Sequence, residues 1–177
     1  MSTPTSIHAF LGDARVPYSV VPHRTAFETQ VKEASRARNW AKVVICIADG
    51  KPIQAVFPAT LIVNLDRLLA LTGASSIRFA LEEESCLLVP DCESGAIPPF
   101  GPLYGQPVFV DTALAAELEV AFNAGTYREA IRMRYADLAA ATRPTVGRFA
   151  ECPDQQGRET VRRPANWRAM FRGTSRE

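Results

Sequence analysis

The sequence predicts a single mixed α/β domain of the α+β type, in which helices surround a curved, largely antiparallel sheet. Hydrophobic runs with strand character are joined by short turns, and amphipathic stretches with capping residues lie between them at irregular intervals. A chain of 177 residues, 47% hydrophobic and 22% charged, has the size and composition of one globular domain. The absence of a regular strand–helix alternation disfavours a doubly wound parallel sheet.

The N-terminal segment predicts a helix, a strand and a second helix. Apolar residues at helical spacing predict the first helix over Thr5–Ala14, ahead of a proline. Tyr18–Val21 is typical of a strand and is ended by Pro22. The polar, periodic stretch Glu28–Arg38 predicts the second helix.

A β-hairpin is the strongest local signal in the chain. The runs Val43–Ala48 and Ile53–Phe57 flank an Asp-Gly pair, a dipeptide that favours tight hairpin turns. Cys46 lies within the first run and is expected to be a buried thiol. After the hairpin, Asn64 is a candidate N-cap for a helix that ends at Gly73.

The second half of the chain predicts strands and short helices on either side of a long loop. Prolines and glycines exclude regular structure over Pro90–Pro107, and long loops within a domain are often functional. Asp111 is expected to cap the helical turn after it, with orientation of Lys42 as the alternative. The remaining expected elements are strands at Ser76–Ala80, Val108–Val110, Glu119–Phe122 and Ala130–Met133, a helix through Leu88 whose first-turn glutamates are solvated, and helical segments near Asp111–Glu117 and Tyr135–Ala141.

The net charge and composition exclude few partners, but the cysteine pattern argues against a cofactor. A net charge of +1 gives no global attraction to nucleic acid, so any such contact must come from a local patch. The four cysteines form no CxxC pair, and we therefore expect no metal site and no cofactor. No apolar run reaches the roughly 18 residues of a membrane helix, so we expect a cytoplasmic protein with no membrane partner. We expect no DNA partner either.

Two separate features carry candidate chemistry: Lys42, at the start of the hairpin, and the loop from Gly95 to Gly101. A lysine supplies a cation for a phosphate or for a carbonyl oxygen that becomes negative. Glycine permits close backbone approach and adjacent prolines stiffen a loop, so its N–H groups could stabilise an oxyanion. Equally, Lys42 could be a solvated residue at a strand end and the loop a rigid connector.

The order of these segments resembles the YbaK/prolyl-tRNA-editing family over roughly residues 5–150. The resemblance rests on PHRTAFETQVKEASRA, the lysine of AKVVICIADG, IQAVFPATLIVNLDRLLALTG, GAIPPFG, VFVD and FNAG. It implies the editing-domain fold and hydrolysis, in trans, of the ester that joins a wrong amino acid to transfer RNA. The implied substrate is a transfer RNA that carries alanine, cysteine or a similar small amino acid, with the proline transfer RNA as a candidate carrier. An aminoacyl-tRNA synthetase is a further candidate partner.

The resemblance also implies the site residues. Lys42 and the backbone of Gly95, Ala96 and Ile97 are the expected catalytic groups, and a hydroxyl of the terminal ribose is the implied helper of the attacking water. The expected substrate contacts are His23, Thr29, Pro98, Pro99, Phe100, Gly101 and Gly125. His23 could instead be a surface residue, Thr29 an early helix residue, and Gly125, with Asn123, part of a turn.

Two departures keep a second function open. The family lysine is usually followed by Thr or Ser, whereas Val43 follows Lys42, and Pro98 beside Pro99 is an unusual filling of the loop. A noncatalytic module that binds RNA or protein on the same fold is therefore the alternative. We expect residues 1–150 to form the deacylase domain and 151–177 a basic tail, in which six arginines face two glutamates over residues 158–177. That tail could contact RNA or simply be a solvated end.

Overall fold

The computed structural model describes residues 3–22 and 38–153. Ten strands and five α-helices are found in these two ranges, and all the helices are short. The strands are β1 (Ser19–Pro22), β2 (Ala41–Ala48), β3 (Lys51–Pro58), β4 (Ile62–Val63), β5 (Ile77–Phe79), β6 (Val108–Asp111), β7 (Glu119–Asn123), β8 (Glu129–Arg134), β9 (Thr145–Gly147) and β10 (Ala150–Glu151). The helices are α1 (Thr5–Ala14), α2 (Leu65–Thr72), α3 (Glu82–Leu88), α4 (Thr112–Ala115) and α5 (Tyr135–Thr142), with a 3₁₀ turn at Gly101–Tyr104.

The hairpin of β2 and β3 organises the larger sheet. Asp49 and Gly50, with φ angles of 46° and 78°, form its two-residue turn; positive φ at both positions is typical of the type I′ turn that matches strand twist. The Asp49 carboxylate also accepts the backbone N–H groups of Ser75 and Ser76 at 2.9 and 2.8 Å. These bonds, that from Ser75 first, lower the pKa of Asp49 and fasten the turn to the segment that enters β5.

Two main sheets make up the domain. The five-stranded sheet has the order β5-β2-β3-β6-β9, and the three-stranded sheet the order β1-β8-β7. Strands β5, β2 and β3 pair antiparallel, whereas β6 pairs parallel with both β3 and β9. The three-stranded sheet is antiparallel throughout, and a bridge between Trp40 and Ala121 joins it to the start of β2.

Hydrophobic residues fill both faces of the five-stranded sheet. Alternate residues of β2, such as Val43 and Ile45, enter a first cluster that also holds side chains of α1, β7 and β8. Their neighbours, such as Cys46, enter a second cluster with Phe57 and α2. The first cluster therefore lies between the two main sheets, and the second lies beneath α2.

The structure confirms the predicted mixed fold and most of its local elements. Helix α1 spans the predicted residues, Asn64 caps α2 by accepting the N–H of Arg67 at 3.1 Å, and Gly73 ends α2 in a left-handed conformation. Asp111 is a cap as expected, because it accepts the N–H of Ala113 at 2.8 Å. The sequence did not predict the short strands β4, β9 and β10, and the helix expected over 28–38 lies outside the described residues apart from Arg38.

One expectation about α3 is wrong. Its first-turn glutamates are not all simply solvated, because both carboxylate oxygens of Glu84 accept the Arg78 guanidinium at 2.7 Å. Glu84 also accepts the N–H of Leu81 at 2.8 Å, which completes the cap of the helix. The Arg78 bond, followed by the Leu81 bond, lowers the pKa of Glu84 to about 2.

We predict that Glu84→Gln lowers the thermal midpoint at pH 7 more than Glu83→Gln, since Glu83 is an exposed neighbour in the same helical turn. A carboxylate with a lowered folded-state pKa stabilises the fold above its ordinary value of 4.5, and this stabilisation is lost as the pH falls through about 2. Thermal melts at pH 7 and pH 2 measure the effect. Equal midpoints for the two variants at pH 7 would contradict the assignment.

Candidate active site

The proline-rich loop over residues 90–107 is bound by its backbone to the turn between β7 and β8. The N–H of Glu93 donates to the carbonyl of Gly125 at 2.8 Å, and the N–H of Gly125 donates to the carbonyl of Ala96 at 3.0 Å. Gly125 has a φ of 83°, and a Cβ there would lie 2.9 Å from Pro4. The structure therefore brings two predicted segments, GAIPPFG and FNAG, into direct contact, and Gly125 is required at this contact.

Gly95 lies at the tip of a tight turn within the loop. The N–H of Ala96 donates to the carbonyl of Glu93 at 2.9 Å, which closes a four-residue turn with Gly95 at its third position. Its φ of 80° is the value that a type II turn requires there, and glycine adopts it without strain. A Cβ on Gly95 would also overlap the hydroxyl oxygen of Tyr127. Both the conformation and the space therefore require glycine.

Buried residues at the end of the loop, from Pro98 to Gly101, anchor it to the hydrophobic core. The Phe100 ring is fully buried, with its centroid 5.3 Å from those of Phe10 and Phe122. The N–H of Phe100 donates to the carbonyl of Pro98 at 2.8 Å, and Pro98 and Pro99 are both buried. Gly101 packs so closely that a Cβ would lie 2.6 Å from a Val108 methyl group. The side chain of Phe100 and the packing of Gly101 thus anchor the loop in the first cluster.

Among the three residues Gly95, Ala96 and Ile97, two have a backbone N–H group without an acceptor in the described part of the chain. Neither the N–H of Gly95 nor that of Ile97 donates a hydrogen bond within residues 3–22 and 38–153. The N–H of Ala96 is already used by Glu93, so this group is not free to bind a ligand. Of the three residues whose backbone the sequence selected, Gly95 and Ile97 can supply donors to an oxyanion, and Ala96 instead shapes the turn.

Lys42 is the second residue of β2, opposite Phe57 of β3. Its residue surface is exposed, yet its ammonium is partly desolvated, and this burial lowers the pKa of Lys42. Across the described ranges, no hydrogen bond or ion pair to Lys42 is found, and none joins it to the loop. A desolvated cation without a counter-charge is a candidate for binding an anionic or electron-rich group.

Strand β7 links the start of β2 to the loop. Trp40 bridges Ala121 in parallel orientation, and the N–H of Ala121 donates to the carbonyl of Asn39 at 2.9 Å. Two residues further along each strand come Lys42 and Asn123, which alternate with residues of the first cluster in β2 and β7. Asn123 leads directly into the turn at Gly125. The side chains of Ile97 and Phe100 lie in the first cluster, which is on the other face of β2 from Lys42.

Sequence reasoning missed Glu93 and Tyr127, which hold the loop in place. The Tyr127 hydroxyl donates to the carbonyl of Ser94 at 2.6 Å, and the Tyr127 N–H donates to the Glu93 carboxylate at 3.0 Å. These residues lie 34 positions apart, so no local sequence pattern links them. His23 and Thr29, which the sequence also selected, lie outside the described residues.

Other chemistries find little support in the described ranges. Burial raises the pKa of Cys46 to about 12 and that of Cys92 to about 11, which disfavours the thiolate form needed for nucleophilic attack. No group of three or more His, Cys, Asp or Glu residues within 3–22 and 38–153 is arranged to hold a metal ion. None of the helices described is both long and apolar enough to cross a membrane.

Comparison with known families decides the assignment. Residues 22–141 of the 177 match the model of the aminoacyl-tRNA editing domain. This chain belongs to that family. The match includes Lys42, the loop from Gly95 to Gly101 and the turn at Gly125, so the contacts described above lie within the editing domain. Among curated proteins, none matches the sequence.

Solved structures share the fold of this editing domain. The hypothetical protein APE2540 has a TM-score of 0.72 at 17% identity, over 82% of this chain and 99% of its own. A "putative trans-editing enzyme for prolyl tRNA synthetase" has a TM-score of 0.68 at 20% identity, over 85% of this chain and 99% of its own. A "putative signal transduction protein" from Marinobacter aquaeolei VT8 has a TM-score of 0.66 at 20% identity, over 84% of this chain and 31% of its own. At these identities, the likeness shows the fold alone.

We predict that Gly95→Ala destabilises this editing domain more than Gly105→Ala. Both glycines have positive φ, and that conformation costs a residue with a Cβ about 1–2 kcal/mol. Only at Gly95 would the added Cβ also meet another side chain, the hydroxyl of Tyr127. Urea unfolding of both variants measures the difference, and equal losses would show that the overlap relaxes without cost.

Proposed function

We propose that the protein hydrolyses the ester bond of mischarged transfer RNA, acting in trans on alanine, cysteine or a similar small amino acid, with the proline transfer RNA as one carrier. The observation that carries the proposal is the loop of an editing domain that presents two unpartnered N–H groups, of Gly95 and Ile97, beside the Gly125 turn. Hydrolysis would release the free amino acid and intact transfer RNA. The protein would thus be a carboxylic ester hydrolase that maintains translation fidelity by removing wrong amino acids from transfer RNA.

The chemistry needs stabilisation of charge more than a strong nucleophile. When water attacks the carbonyl carbon of the ester, the carbonyl oxygen becomes an oxyanion, which the N–H groups of Gly95 and Ile97 can bind. The bond from that carbon to the ribose oxygen then breaks, and the ribose oxygen takes a proton. A neighbouring hydroxyl of the ribose can relay the proton of the attacking water, so a protein general base is not required.

Lys42 supplies positive charge to the same reaction. Its ammonium has no described counter-charge, so it can interact with a terminal phosphate or with the developing oxyanion. It lies on the face of β2 away from the first cluster, two residues beyond the bridge that joins β2 to β7. Substrate would therefore bind across the end of β7, between the ammonium and the Gly95 turn.

The substrate-contact residues follow from this placement. Pro98 and Pro99 are buried loop residues and are proposed to shape the amino-acid pocket, whereas Ile97 contributes its backbone N–H. Phe100, Gly101 and Gly125 contribute by holding the loop in place, and His23 and Thr29 are proposed contacts from the segment before β2. An aminoacyl-tRNA synthetase is a proposed partner, and the cytoplasm is the proposed location because both substrate and partner are found there.

A noncatalytic binding module is the second candidate. Val43 follows Lys42 where the family usually has Thr or Ser, and the Pro98-Pro99 pair stiffens the loop. On this reading the same surface holds an RNA end or a protein without turnover. Tight binding of aminoacyl-tRNA with no release of amino acid would favour it.

We predict that the purified protein deacylates at least one member of a panel of transfer RNAs mischarged with alanine, cysteine, serine or proline. Release of radiolabelled amino acid measures the rate, with a known editing enzyme run alongside. Because the substrate is recognised through its RNA, a simple amino-acid ester should be hydrolysed much more slowly. No release from any member of the panel, while the control enzyme is active, would reject the catalytic proposal.

We predict that Lys42→Ala lowers kcat by roughly a hundredfold, the scale of losing one group that stabilises the transition state. Lys51→Ala, at the other end of the same hairpin, should retain the wild-type rate. Because burial lowers the pKa of Lys42, its cationic contribution is present below that pKa and is lost as the pH rises through it. The ratio of wild-type to variant rates should therefore shrink at alkaline pH. A wild-type rate for Lys42→Ala would remove it from the mechanism.

A further inference from the structure

Two peptide groups of the loop have their carbonyls fixed by the β7–β8 turn. The carbonyl of Ser94 accepts the Tyr127 hydroxyl at 2.6 Å, and the carbonyl of Ala96 accepts the N–H of Gly125 at 3.0 Å. Every peptide bond described is trans, so the N–H of each group points opposite to its carbonyl. The N–H groups that follow, of Gly95 and Ile97, therefore both point away from the turn, and neither has an acceptor within the described residues.

The Tyr127 hydroxyl is well suited to this task. Burial, followed by the charges of Glu93 and Glu82, raises the pKa of Tyr127, so the hydroxyl keeps its proton at neutral pH and donates it. Its backbone is held to the same loop by the bond from its own N–H to the Glu93 carboxylate at 3.0 Å. A donor on the Ser94 carbonyl also polarises that peptide group, which strengthens the N–H on its other side.

We propose that Tyr127 is a positioning residue for the deacylation reaction, which aims the Gly95 N–H at the oxyanion through its bond to the Ser94 carbonyl. This inference rests on the proposed function. Ile97 needs no such side chain, because the Gly125 backbone orients its peptide group. The overlap of a Gly95 Cβ with Tyr127 would also displace the hydroxyl that orients the neighbouring peptide group.

The test compares Tyr127→Phe with Tyr104→Phe. Tyr104 is a matched control, because its hydroxyl also fixes this loop, donating to Asp91 at 2.8 Å, but does not touch the peptide groups from Ser94 to Ile97. We expect Tyr127→Phe to lower kcat about tenfold with KM within twofold, since one of two donors is misdirected and the substrate still binds. Tyr104→Phe should lower the thermal midpoint by a similar amount and leave kcat near the wild-type value.

A rescue experiment separates orientation from packing. Para-aminophenylalanine at position 127 restores a donor of similar size, and para-methoxyphenylalanine fills the space without one. We expect the first to recover most of the lost kcat and the second to recover none. Equal rates for the two, or a loss of kcat in Tyr127→Phe no greater than that in Tyr104→Phe, would overturn the assignment.

A binding measurement keeps the inference separate from the proposed function. An adenosine whose 3′ aminoacyl ester is replaced by a methylphosphonate carries a tetrahedral anion, and amide NMR reports which N–H groups bind it. We expect the Gly95 and Ile97 amide protons to shift downfield in the wild type, and the Gly95 shift alone to shrink in Tyr127→Phe. Should the wild type hydrolyse no transfer RNA, this result would still support the role of Tyr127 in aiming the donor. Unchanged Gly95 shifts in the variant, or no shift of either amide in the wild type, would overturn it.

Discussion

The candidate site depends on one pair of backbone hydrogen bonds, by which Gly125 accepts the N–H of Glu93 and donates to the carbonyl of Ala96. These bonds fasten a loop that has no regular secondary structure to the rigid turn between two paired strands. Loops rich in proline lose little further entropy when they are fixed, so a few bonds suffice to hold one conformation. The free N–H groups of Gly95 and Ile97 then point in a constant direction, as preorganised stabilisation of an oxyanion requires.

The bridge between the two main sheets lies two residues before Lys42 in the chain. Trp40 and Ala121 connect the start of β2 to β7, and Lys42 follows at the point where the two strands separate. Partial burial disfavours the charged form of this ammonium, for which the described residues supply no counter-charge, and groups with such shifted pKa values are found at binding and catalytic sites more often than elsewhere. The same strand leads from this join to the loop, so both candidate groups depend on β7 for their positions.

Membership of the aminoacyl-tRNA editing domain family fits this arrangement, because an aminoacyl ester is activated and needs positioning and charge stabilisation more than a nucleophilic side chain. The raised pKa values of Cys46 and Cys92 agree with that requirement. The solved structures that share the fold are each 17% to 20% identical to this chain, and one of them is named for signal transduction. A common fold therefore does not by itself identify a substrate.

The sequence by itself determined the local elements, because their signals are short-range. An Asp-Gly pair between apolar runs predicts the β2–β3 hairpin, and Asn64 with Gly73 marks both ends of α2. The resemblance also selected Lys42 and the loop as candidates. Only the tertiary structure decided that Ala96 closes the turn while Gly95 and Ile97 keep free donors, and that Tyr127 reaches Ser94. These relations join residues distant in sequence through backbone direction and packing, which neither periodicity nor composition encodes. The parallel pairing of β6 with β3 and β9 could not be predicted for the same reason.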